Sequence, residues 1–285
     1  MAVRKPDFAG SWYPGSPEKC RREIEHYATR APGLSVKPDK ALGGIVPHAG
    51  WYYSGEIACH VLKTLATWSS PETVVVFGMH LGPASDHVIM TEGEWETPLG
   101  NLEIDEALSS ELTKSFDFVK ETPLDHEPDN TVEVQLPFIK YFFPGSRILP
   151  VGVAARNAAV EIGEKVAEVA TDKGVDVVIV GSTDLTHYGP NYGFIPKGLG
   201  EQAVRWVKES NDRRMTDLML QMDPLAMLEE ARDSHNACCV GAVAAAVAAV
   251  RKLHGRSGEL LTYRTSYDIE PHTSFVGYAG VVYYR

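Results

Sequence analysis

The chain has 285 residues, 44% of them hydrophobic, enough to bury a large core in one α/β domain or two at most. Its 27 Lys and Arg against 38 Asp and Glu give a formal net charge of −11, which argues against a nucleic-acid-binding surface. No signal-peptide core or transmembrane-length apolar stretch is visible, and four cysteines are too few for a disulfide framework, so a cytoplasmic setting without a membrane partner is expected.

The opening FAGSWYPGS reads as an aromatic turn that packs against the body or, through Trp12 and Tyr13, walls a pocket. Ser16-Pro17 is a helix-start signature, and an amphipathic helix is expected from Pro17 to about Arg30. Leu42, Ile45 and Val46 form a short buried strand that Pro47 ends. His48 follows at its lip, Gly50 allows a tight turn, and Ser54-Gly55-Glu56 opens a helix reaching Trp68. Thr73 to Gly78 is a continuous β-branched run, the mark of a central parallel strand, and His80 follows it in the same way.

Asp86 to Met90 is a further strand, with His87 inside it; TEGEWETPLG is a loop or hairpin, and Glu106 to Ser115 a helix. Asp125, His126, Glu127, Asp129 and Glu133 surround the start of a helix from about Thr131, which Pro137 should bend or shorten. Such carboxylates serve as helix caps or line the mouth of a site. Arg147 to Val153 and Val175 to Gly181 are strands, separated by a helix from Ala158 to Asp172. The second strand runs into STDLTHYG, where a helical turn would put Asp184 and His187 on one face. Helices are expected near Glu201 to Asn211 and Met215 to Ala231. An Ala-rich helix comes next, its first turn, HNACC, placing a thiol in the field of the helix dipole. Leu260 to Tyr267 and Thr273 to Tyr284 close the chain as strands. The alternation predicts one α/β domain over residues 1–285, a central, mostly parallel mixed sheet flanked by helices.

Three strand-end histidines, an Asp and a Cys make a donor set suited to a divalent metal with open positions. PHAGWYYSG, WETPLG, VEVQLPF, GSTDLTHYG and the cysteine-bearing helix start resemble the Memo family, called AmmeMemoRadiSam system protein B in microbes. The resemblance runs from FAGSWYPG to SFVGYAGVVY. It implies a fold similar to the class III extradiol dioxygenases, the LigB-like enzymes. It also implies His48, His80 and Cys238 as metal ligands, with the sulfur in place of the dioxygenases' carboxylate, and His187 with Asp184 as the acid/base group. Tyr52, Trp12, Asn130 and Glu133 are the expected substrate-side residues. The chain departs from the family pattern at Asn130, where a histidine is usual, at Cys239, where a glycine is common, and at GMHLG around His80.

The function so implied is iron-dependent redox or dioxygenase-like chemistry on an unknown small substrate, with Fe(II) first and copper or zinc as alternatives. A non-catalytic module binding a peptide or partner in the same cleft is the rival expectation, and zinc-dependent hydrolysis a third. A homo-oligomer is compatible with either. The Gly-rich stretches lack P-loop and dinucleotide spacing, which argues against nucleotide, flavin or nicotinamide.

Overall fold

The computed structural model describes residues 2–285. Its first half forms β1 (Val3–Arg4), α1 (Pro17–Ala28), β2 (Ala41–Val46), α2 (Trp51–Trp68), β3 (Thr73–Gly78), β4 (His87–Met90), β5 (Glu94–Thr97), β6 (Gly100–Glu103), α3 (Glu106–Ser115) and β7 (Phe118–Glu121). The second half adds α4 (Asn130–Glu133), α5 (Leu136–Phe142), β8 (Arg147–Gly152), α6 (Ala158–Lys173), β9 (Val177–Ser182) and β10 (His187–Tyr188). After these come α7 (Glu201–Trp206), α8 (Asp212–Gln221), α9 (Pro224–Ser234), α10 (Val240–Lys252), β11 (Ser257–Thr265) and β12 (Phe275–Tyr284).

Four strands run parallel in the spatial order β2, β9, β3, β8, and antiparallel β12 and β4 flank them on either side. Both faces of this sheet are covered, which is why β3 reads as unbroken apolar sequence. Its Val75 and Phe77 enter one core with Ile162 of α6 and Val243 of α10. Val74 and Val76 enter the other, with Ile24 of α1, Leu62 of α2 and Phe138 of α5. The alanines of α10 allow a backbone-close fit: a Cβ on Gly163 would fall 2.0 Å from the Ala245 carbonyl oxygen. A smaller sheet joins β1 to the β5–β6 hairpin. There the buried Arg4 guanidinium lies 3.6 Å above the Trp95 ring and donates to Glu121 at 2.8 Å.

Several boundaries differ from the sequence expectation. Helix α2 begins at Trp51 rather than Ser54, because the Trp12 carbonyl accepts the Trp51 N–H at 2.8 Å and supplies the missing cap. The helix around Pro137 is split into α4 and α5, with the proline in the first turn of the second piece. Met215 to Ala231 is two helices, parted where Met222 takes φ +56° ahead of Pro224. A π-helical turn, Val207–Asn211, joins α7 to α8. STDLTHYG is not helical; His187 and Tyr188 form β10 against β12. Cys238 stands before α10 rather than in its first turn, since His235 at φ +50° ends α9 and Cys239 is the cap of α10. Strand β7, an exposed edge, was not foreseen.

Candidate metal centre

The parallel strands deliver their C-terminal ends to one edge of the sheet. Val46 pairs with Ser182 and Phe77 with Gly181, so the residues leaving β2, β9 and β3 are neighbours. Pro47 ends β2 and hands over to His48. After β3, Met79 takes φ +69°, a left-handed conformation that a branchless glycine would adopt more readily, and turns His80 back over the sheet edge. The Met79 N–H is held there by Thr131 Oγ1 at 2.6 Å. From the far side, the α9–α10 connection brings in Cys238, whose N–H donates to the Asp184 carbonyl at 3.1 Å.

One ligand atom each from His48, His80, Cys238 and Cys239 lies within 4.8 Å of all the others. His48 Nε2 is 3.2 Å from Cys238 Sγ, and the two imidazole centroids are 4.9 Å apart. The hydrogen bonds behind the rings fix which nitrogens face inward. Ser182 Oγ spends its proton on the Thr131 carbonyl at 2.7 Å, so it accepts from His48 Nδ1 at 3.0 Å. Nε2 is thereby the nitrogen turned to the sulfur, and a metal would take the place of the proton that the two atoms share. His80 Nδ1 lies 3.6 Å from Asp129 Oδ2, a carboxylate–histidine arrangement of the kind that orients metal-binding imidazoles. Asp129 is itself held by the Thr131 N–H at 2.9 Å.

Charge is concentrated here, on a buried His48 beside a more exposed His80. Asp129 and then Cys238 push the His80 pKa up to about 10. Burial works against a charged His48, yet Asp184 and the Cys238 sulfur outweigh it and raise its pKa. Burial likewise opposes the Cys238 thiolate, but the Cys239 sulfur and the two imidazoles outweigh it and the pKa falls well below that of an ordinary thiol. The Asp184 N–H, 3.3 Å from Cys238 Sγ, adds a donor to the same sulfur. A thiolate facing two imidazoles fits a divalent transition metal, and the structure brings together the three residues named from the sequence, His48, His80 and Cys238.

The two histidines of the cluster line a cavity of about 590 Å³. His48, His80, Asp184, His187 and Asn130 line its inner part, and Trp12, Tyr52 and Tyr192 its outer part. His187 Nδ1 donates to the Leu185 carbonyl at 3.2 Å, which leaves Nε2 as its basic nitrogen, and the ring packs edge-on against Tyr192. A second cavity, about 700 Å³, meets the cluster at His80 and Cys238.

Not every expected site residue takes the role foreseen. Asp184 makes no hydrogen bond to His187; its Oδ1 accepts the His48 N–H at 2.8 Å and so positions the metal-side loop. Glu133 is fully buried away from the cavity, accepting from the Asp7 and Phe8 N–H groups and the Tyr13 hydroxyl, each at 2.8 Å. It clamps the N-terminal segment. Asn130 does reach the cavity, and its Nδ2 donates to the His48 carbonyl at 2.9 Å. His126 bonds the Thr122 carbonyl beside Asp7 and does not stand in for the missing histidine. His87 is buried and accepts the Ala154 N–H at 3.1 Å, a structural role.

Sequence reasoning missed Ser182 as an orienting group. It also missed Asp212, which accepts from the Thr186 N–H at 3.0 Å and from the Tyr263 hydroxyl at 2.7 Å beneath the His187 segment. No local pattern marks either one.

The fold and site together define a helix-flanked mixed-sheet protein with a histidine–cysteine centre at the C-terminal ends of its parallel strands. The family model described as "Memo-like protein" matches residues 4–282. MEMO1 family proteins of Methanopyrus kandleri and Pyrococcus abyssi are each 35% identical to the chain. The first alignment covers 99% of both chains, the second 99% of this chain and 100% of the relative. The chain therefore belongs to the Memo family. Among solved structures, an uncharacterized protein of Escherichia coli K12 superposes with a TM-score of 0.50 at 11% identity, covering 85% of this chain and 99% of the other. That likeness speaks to fold alone, an α/β domain with a mixed sheet flanked by helices, as the sequence implied. Among the described residues no helix is long and apolar enough to cross a membrane.

Proposed function

We propose that this chain is a metal-dependent redox enzyme of dioxygenase type, holding iron through His48, His80 and Cys238 and acting on a small chelating substrate in the 590 Å³ cavity. The observation that carries the reading is the preset tautomer of His48. A buried Ser182–Thr131 relay holds the Nδ1 proton of the ring, so Nε2 is the nitrogen that faces Cys238 Sγ at 3.2 Å, where a metal would replace the proton that the pair shares. A hydrogen-bonded structural histidine has no need of that arrangement.

Iron, when bound, supplies Lewis acidity and electron transfer. The chain's own residues do the rest. Asp184 and Asn130 hold the His48 backbone from both sides, through its N–H and its carbonyl. His187 presents Nε2 to the cavity and takes the proton of a substrate hydroxyl as general base. Trp12, Tyr52 and Tyr192 offer flat apolar surface on which a planar ring can stack. The exposure of Tyr52, at 65%, favours a second reading in which the same rim binds a peptide without turnover.

The test is anaerobic purification with metal analysis, followed by oxygen uptake with catechols. The iron reading expects one metal per chain, lost in His48→Ala, and turnover that falls at least 100-fold in His187→Ala with the metal retained. Metal content unchanged in His48→Ala would refute the site. Metal binding without turnover, together with peptide capture, would favour the binding module.

A further inference from the structure

We propose that Cys239 is a fourth protein ligand of the metal centre, so that the donor set of this chain is two imidazoles and two thiolates. This rests on the metal-centre reading above and adds to it a residue that the family pattern does not supply.

Cys238 and Cys239 stand in the turn that leads into α10, and their side chains converge, with the sulfurs 3.8 Å apart. The convergence is held by the fold rather than by the pair itself. Both amides are tied to the segment leaving β9, the Cys238 N–H to the Asp184 carbonyl and the Cys239 N–H to Thr183 Oγ1, each at 3.1 Å. Cys239 takes φ −125° and ψ 51° between them, which turns its Sγ back onto the cluster.

The spacing separates three roles. A disulfide would need the sulfurs at about 2.05 Å, so none is formed. A buried thiol acting as core filler has no reason to lie within 4.8 Å of ligand nitrogens on both histidines. Without an ion the Cys239 thiol keeps its proton and shares it with the Cys238 sulfur across that 3.8 Å; two metal–sulfur bonds of about 2.3 Å at the tetrahedral angle span the same distance, so a metal can take the proton's place. Cys239 is 3% exposed and lines neither cavity meeting the cluster, so it approaches from the protein interior. The side facing His187 stays clear for a substrate. Two thiolates make the set softer and more electron-donating than a single-sulfur site, with a preference for zinc, copper(I) or cobalt(II) over hard cations.

The experiment adds cobalt(II) to metal-free full-length protein and reads the near-ultraviolet sulfur-to-cobalt charge-transfer band, whose intensity follows the number of thiolates. The expected result is one cobalt per chain, with Cys239→Ala keeping the ion but showing about half the wild-type intensity. Wild-type intensity in Cys239→Ala overturns the proposal and leaves the three-residue site standing. No cobalt binding by the wild-type chain overturns both. A sulfur count by X-ray absorption on the zinc-loaded wild type decides the matter without any variant: two sulfurs support the proposal and one refutes it.

Discussion

Replacing Asp212 by Asn should remove an ionisation near pH 6 from the protein's stability profile. Asp212 is completely buried, and burial pushes its carboxyl from the usual 3.8 up to about 6, even though Thr186 and Tyr263 donate to it. Between those two values the folded chain still holds a proton that the unfolded chain has lost. Stability therefore falls as pH rises from about 4 to about 6 and is flat above. At about 1.4 kcal/mol per pH unit the loss comes to about 3 kcal/mol at neutral pH. An asparagine can keep its Oδ1 on the Thr186 donors and turn its Nδ2 to the Tyr263 oxygen, so the shape of the contact survives. Urea unfolding of both proteins at pH 4, 5, 6 and 7 provides the assay, because every other titration cancels in the difference. The variant should gain on the wild type by about 3 kcal/mol across that window. A difference that stays constant with pH, or that moves in favour of Asp212 as pH rises, would refute the reasoning.

Ser182→Ala should leave the fold intact yet weaken metal binding by about 10- to 100-fold, since His48 loses the acceptor that fixes its tautomer. Competitive metal titration measures it, and an unchanged affinity would mean the relay is irrelevant. Glu133→Ala should cost about 2–4 kcal/mol, mostly from the buried Tyr13 hydroxyl left without its acceptor, and ligand affinity per folded molecule should not change. Wild-type stability with lost ligand binding would instead return Glu133 to the substrate. Arg4→Ala should cost about 3–5 kcal/mol in the same unfolding assay, because Glu121 is left as an unpaired buried charge. A loss under about 1 kcal/mol would place that pair among ordinary surface contacts.

What could be read from the sequence follows from how each residue is positioned. Strands β3 and β9 were legible because burial on both faces leaves no polar positions to interrupt the run. His48 and His80 were legible because each is placed by its own strand end, a matter of one or two residues. Strand β7 was not, since on this short edge strand Val119 is exposed and Glu121 buried, the reverse of the usual apolar pattern. Helix α2 was started too late because its cap is the Trp12 carbonyl, which lies outside the local sequence. Glu133 shows the limit most sharply. A carboxylate on a short helix looks the same whether it faces a substrate or two backbone amides 125 residues and more upstream.

That division explains why the clustered histidines and cysteine could be named from the sequence while the contacts that orient them could not. An imidazole becomes a ligand through whatever takes its other proton, and Ser182 and Asp129 come to their histidines across 134 and 49 positions. Cys238 was chosen over Cys239 on family pattern, as though one sulfur had to face the metal and the other turn away. The two cysteines stand in a turn fixed at both amides by the loop leaving β9, so their side-chain directions are set by tertiary contacts 54 and 56 positions away. A cluster assembled at the ends of adjacent parallel strands is built from such contacts, which no local stretch of sequence carries.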